Sequence, residues 1–229
     1  MKTTRLVSAA MFVLSLCAVS SSQTFFFTGA GPIPDSLGGP GSFGTQLTML
    51  APSNTPNPIQ DVVLTITMNH TFIGDLRVRL WYQETGSGIT LQSTVLNRVG
   101  AVPGNGTGNS ANLNGTYVFV LGATSFFTAV QPLGGVSTLV PGAYAPVSSN
   151  LNGTHTVTEF ADTFRGKSGQ GTWLLIVEDG TASDVGAVTA AHIALQARPS
   201  ACLSDLNADG AINTADLVSF LGSFGGTCP

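Results

Sequence analysis

Between residues 59 and 83 the chain alternates apolar and polar side chains. In "IQDVVLTITMNH", 59–70, Val62, Leu64, Ile66 and Met68 fall on one side. In "GDLRVRLWYQ", 74–83, Leu76, Val78, Leu80 and Tyr82 do the same, and Arg77 and Arg79 take the other side. A period of two is the signature of a strand with one buried face, because successive side chains point to opposite sides of a pleated backbone. The pattern returns in "GITLQSTVL", "YVFVLG", "GTWLLIVEDG" and "GAVTAAHIALQA". Glycine- and proline-rich stretches separate these runs, notably 99–116 and 132–153. No helical period is sustained before residue 200. Many short strands broken by turn residues predict an all-β fold, a jelly-roll β-sandwich of antiparallel strands. Residues 24–58, rich in Gly, Pro, Ser and Thr, read as one or two strands and loops.

The N-terminus has a different character. Lys2 and Arg5 precede the apolar run "LVSAAMFVLSLCAVS", and Ser20, Ser21 and Ser22 follow it. A basic start, a short apolar run and small residues describe a signal peptide over 1–22, with cleavage near Ser22–Gln23. No other stretch reaches the ~20 apolar residues of a membrane-spanning helix. The chain is therefore expected to be exported and soluble. Removing Lys2 and Arg5 makes the formal charge of −4 more negative, and no basic patch is visible, which argues against nucleic-acid binding. Cleavage also removes Cys17 and leaves Cys202 and Cys228. Two cysteines in an exported chain favour a disulfide. The strand pattern stops at "QARPS", 196–200, giving a sandwich over 24–198 and an appendage over 201–229.

That appendage carries "DLNADGAINTAD", residues 205–216. Counted from Asp205, side-chain oxygens stand at positions 1, 3 and 5 (Asp205, Asn207, Asp209) and glycine at 6. Ala211 stands at 7, Asn213 at 9 and Asp216 at 12. Calcium takes six to eight oxygens, and a loop supplies them with this spacing, using the backbone carbonyl at position 7. Ile212 would pack the loop on its helix. Asp216 would open that helix, with Leu217, Phe220, Leu221 and Phe224 on one face and Gly225–Gly226 at its end. So short a segment needs a metal and a covalent staple to hold it. A Cys202–Cys228 bridge would stabilise it by roughly 3–4 kcal/mol.

The loop, ending in Asp rather than Glu, resembles the dockerin calcium loop. A single cysteine-bracketed copy resembles the dockerin-like tails of exported bacterial proteins, although dockerins carry two loops. The resemblance implies calcium binding and attachment to a protein partner at a surface. The sandwich resembles the P/Homo B domain that follows the catalytic domain in kexin-like and other subtilisin-type proteases. The matching pieces are "PIPD", 32–35, "MNHTFIGDLRVRL", 68–80, "PGAYAP", 141–146, and the closing "FRGKSGQGTWLLIVEDGTASDVGAVTAAHIAL", 164–195. This resemblance implies a jelly roll and an association with serine endopeptidases. Some members of that family hold calcium in the domain, which makes Asp35, Asp75, Asp179 and Asp184 candidate ligands here.

A catalytic centre is not legible. His70, His155 and His192 are the three histidines, and none stands in a zinc motif or beside a G-x-S-x-G elbow. A subtilisin domain would need its own serine motif and a far longer chain. The sequence thus predicts a secreted, non-catalytic binding and assembly protein tethered through its calcium tail. Its partner would be a surface protein or a secreted protease. Two alternatives are an accessory domain for a separate subtilisin-like protease and a passive surface component.

Overall fold

The computed structural model describes residues 22–36, 44, 46–102, 107–149, 154–158, 160–197 and 214–222. The predicted signal peptide over 1–22 lies outside them save for Ser22. So do Asp205, Asn207, Asp209, Ala211, Asn213, Cys202 and Cys228. The described residues fall in two units, one within Ser21–Ala197 and one holding the helix near the C-terminus.

The first unit is all-β. Its elements are β1 (Ser22–Phe26), β2 (Gly31–Pro32), β3 (Leu47–His70), β4 (Leu76–Glu84), β5 (Thr90–Asn97) and β6 (Leu113–Phe119). Then come α1 (Phe126–Val130), β7 (Gly142–Tyr144), β8 (Val147–Ser149), β9 (His155–Val157), α2 (Phe160–Phe164), β10 (Ser168–Asp179) and β11 (Gly186–Ala197). The strands run β1-β11-β3-β10-β4-β5-β8-β9, with β2 on β11, β6 on β3 and β7 on β6.

The long strand β3 joins the two layers. Its first half, 47–58, pairs antiparallel with β10, and its second half, 59–70, pairs with β11 and β6. From the sequence the strand begins at 59, with 24–58 read as one or two strands and loops; prolines sit at 52, 56 and 58. A proline cannot donate to a ladder, but an edge strand tolerates it. Residues 47–58 are such an edge, bonded to β10 on one side and to little more than the Thr28–Leu50 bridge on the other. Of the three strands that the sequence suggested as an antiparallel series, β4 and β5 pair so, whereas β10 lies between β3 and β4; two other pairings, β5 with β8 and β6 with β7, are parallel. Two five-residue helices, α1 and α2, also interrupt the strands. Each is little more than one turn, too short to leave a helical period in the sequence.

The predicted alternation holds where it was clearest. Val62, Leu64, Ile66 and Met68 are buried, as are Leu76, Val78, Leu80 and Tyr82 from β4 and Trp173, Leu175 and Val177 from β10. They meet Ile193 and Leu195 of β11 in one core. Trp173 anchors it, with its ring 4.4 Å from Tyr82 and 4.8 Å from Phe164. Its indole N–H donates to Ser53 Oγ at 3.2 Å, so the polar end of the ring is satisfied inside. Arg77 and Arg79 lie on the outer face and both bond Glu178 of β10.

In the second unit α3 spans Thr214–Gly222, with Asp216 in its first turn and buried. Leu217 and Leu221, expected on one face of this helix, are 55% and 57% exposed. A segment this small has too little chain to cover a helix face.

Candidate functional site

Four of the residues singled out in the sandwich, His70, Asp75, Asp179 and Asp184, converge at one end of the sheet. His70 closes β3, and Asp179 closes β10. Between β3 and β4 the chain makes a single 3-10 turn, Ile73–Asp75, which delivers Asp75 next to Leu76, the register partner of Asp179. The Gly180 N–H donates to the Asp75 backbone oxygen at 2.9 Å, closing the two ends on each other.

His70 is locked. Its Nδ1 accepts the Phe72 N–H at 3.1 Å, so the proton sits on Nε2, which donates to Asp179 Oδ2 at 3.0 Å. Both side chains are fully buried. The other Asp179 oxygen accepts the Thr181 N–H at 3.1 Å. Asp184 lies across the β10–β11 turn, where its Oδ1 accepts Thr71 Oγ1–H at 3.1 Å. That hydroxyl in turn accepts the Val185 N–H at 3.0 Å.

Asp75 is the strained member. It is 1% exposed, and its Oδ1 has no hydrogen-bond partner. Burial pushes its carboxyl up to about 6; a hydrogen bond from Thr181 works against that shift, while the neighbouring Asp184 and Asp179 add to it.

Glycine makes the junction close. A Cβ on Gly74 would run into backbone atoms of Thr107, Gly108 and Asn109, and the Gly74 N–H donates to Asn109 O at 2.8 Å. The motif glycine therefore serves a crossing of two backbones rather than a turn conformation.

Calcium would need six or more oxygens. Here both Asp179 oxygens and one Asp184 oxygen are already spent on donors. Among the described residues no three His, Cys, Asp or Glu side chains are gathered so as to hold a metal ion. As arranged, this cluster does not fit calcium. Asp35 follows β2, whose neighbour Ile33 bonds Gly186 O at 2.9 Å, and is half-buried.

The other histidines stand apart. His155 Nε2 accepts the Gly100 N–H at 2.8 Å, and its ring stacks on Phe127 at 3.7 Å. His192 lies on the outer face of β11 against Phe26. Sequence reasoning missed Thr181 and the His70–Asp179 pairing, which joins residues 109 positions apart. It also gave no role to the amides of Asn112 and Asn114. These two residues and His70 line an open cleft of about 310 Å³.

No protein-family model matches the chain, and no curated protein does. Similar solved structures include the Aeromonas sobria serine protease and the complex of an Aeromonas sobria serine protease with a chaperone. Each is 16% identical, with a TM-score of 0.40 over 76% of this chain and 26% of that one. The chain spans about a quarter of their length. A likeness at this level carries neither activity nor partner to the present chain. Among the described residues no helix is long and apolar enough to cross a membrane.

Proposed function

We propose that this is an exported, non-catalytic binding and assembly protein, a β-sandwich tethered through a calcium-dependent tail. The observation that supports a non-catalytic sandwich is the state of His70. A general base must reach a proton on a substrate. Both nitrogens of His70 are engaged inside the fold, and the ring and its carboxylate partner are fully buried. The pair ties β3 to β10 instead. In the tail, Leu217, Val218 and Leu221 stand exposed on α3, the kind of surface that a partner would cover. Calcium would be held by Asp205, Asn207, Asp209, Asn213 and Asp216 with the Ala211 carbonyl. The partner would be a protein at the cell surface or a secreted protease.

A second reading, an accessory domain for a separate serine protease, draws on one observation. Residues from two separated stretches of the P-domain resemblance, His70 and Asp75 from one and Asp179 and Asp184 from the other, meet at one end of the sandwich. Hydrolysis tests the primary reading. The purified mature chain is expected to leave a peptide library intact, with or without calcium. Peptide cleavage lost in His70→Gln would overturn it.

A further inference from the structure

A cleft lies where β3 ends and β6 begins, lined by Asn69, His70, Asn112, Leu113, Asn114 and Thr138 among others. Leu113, the first residue of β6, pairs with His70 and is buried, so its neighbours Asn112 and Asn114 project to the opposite side. Their backbones are pinned. The Asn112 N–H donates to Ser137 O at 2.8 Å, and its oxygen accepts the Leu139 N–H at 2.9 Å. The Asn114 N–H donates to the Tyr117 hydroxyl at 3.0 Å, which itself donates to Leu139 O at 2.9 Å. Thr138 is thereby held on the facing rim.

The side chains on this fixed frame are unspent. No hydrogen bond within the described fold engages the side-chain atoms of Asn112, Asn114 or Thr138. Asn69, the register partner of Asn114 on β3, uses its Oδ1 on the Ala187 N–H at 3.0 Å and keeps its NH₂. The lining contains no acid and no Lys or Arg, and His70, its one titratable member, is already held on both nitrogens. An ion gains no opposite charge there. A neutral ligand rich in hydroxyls gains a good deal, because each side-chain amide offers two donors and two lone pairs to adjacent hydroxyl groups. A single peptide amide would use only a few of these positions. The lining has no aromatic ring of Phe, Tyr or Trp, so a flat ligand finds no stacking surface. The volume lies at the lower end for small-molecule sites, the size of a sugar unit rather than a long chain.

We propose that this cleft is a subsite for a neutral saccharide unit, held by the amides of Asn69, Asn112 and Asn114 and the hydroxyl of Thr138. The site belongs to the sandwich and is independent of the calcium tail. The test is an NMR titration of the isotope-labelled mature chain with neutral sugars: glucose, galactose, mannose, N-acetylglucosamine and their β-linked disaccharides. Glucuronic acid and N-acetylasparagine amide serve as probes of charge and of peptide-like amides. At least one neutral sugar should move the side-chain NH₂ signals of Asn112 and Asn114 saturably. Asn112→Ala and Asn114→Ala should each weaken that binding about tenfold or more. Signals away from the cleft should stay unmoved, since neither side chain holds the fold. No saturable shift with any neutral sugar would overturn the proposal. So would binding of the asparagine amide or glucuronic acid alone, or sugar binding unchanged in both variants.

Discussion

Asp75 gives the sharpest handle on the folded sandwich. Its carboxyl titrates at about 6 in the fold against an ordinary 3.8, raised mainly by burial. Because the folded form holds the proton more tightly, the folded state carries more protons than the unfolded chain between about pH 4 and 6. Stability therefore falls as pH rises through that window and is level, as far as this group is concerned, above it. A shift of about two units corresponds to roughly 3 kcal/mol at full ionisation. Asp75→Asn keeps the shape, cannot ionise, and places an NH₂ beside Asp184 and Asp179. The assay is urea unfolding of the mature chain and the variant from pH 4 to pH 8, in chelator so that no metal enters. Other groups titrate too, so the informative quantity is the difference between the two proteins. Wild type should lose about 2–3 kcal/mol relative to Asp75→Asn between pH 4 and pH 7 and be the less stable protein at pH 7. A difference that stays flat with pH, or one in which wild type gains on the variant as pH rises, would refute the reasoning.

Other consequences can be checked with the same chain. Gly74→Ala drives a methyl into the 107–109 backbone, which has no flexible end to yield, and should cost about 1–3 kcal/mol in urea unfolding. Trp173→Ala removes the central anchor and should cost about 3–5 kcal/mol by the same measurement. Glu178→Ala leaves Arg77 and Arg79 without their shared acceptor. It should destabilise by about 2 kcal/mol, and high salt should narrow the difference. Asp205→Ala and Asp209→Ala should each abolish calcium binding by the mature chain in calorimetry, because each removes a charged ligand.

The strand that the sequence revealed most clearly has a buried and a more exposed face. β4 alternates between buried Leu76, Val78, Leu80 and Tyr82 and an outer row of Arg77 and Arg79, and that contrast is what periodicity detects. The first half of β3 was hidden because its composition says loop. Pro52 and Pro58 are tolerated only because this stretch is an edge, and edge position is a property of the finished sheet. The parallel partners β7 and β8 are three residues each, too short to alternate.

The candidate site was legible as pieces and not as an arrangement. His70, Asp75, Asp179 and Asp184 could be named, but nothing in the linear chain says that His70 would spend its proton on Asp179. Nor does it say that Asp75 would be left with an unpartnered oxygen. Asn112 and Asn114 looked like loop composition. Their meaning depends on the 137–139 segment folding back beside them, a contact that no local pattern encodes.

Calcium-dependent capture tests the central claim most directly. The mature chain is fixed to a resin, exposed to the secreted and surface proteins of the producing cell in calcium, and then eluted with chelator. The account predicts a discrete partner released by chelator and absent when the chain is truncated after residue 199. A partner that the truncated chain retains equally, or a resin that retains nothing in calcium, would contradict it.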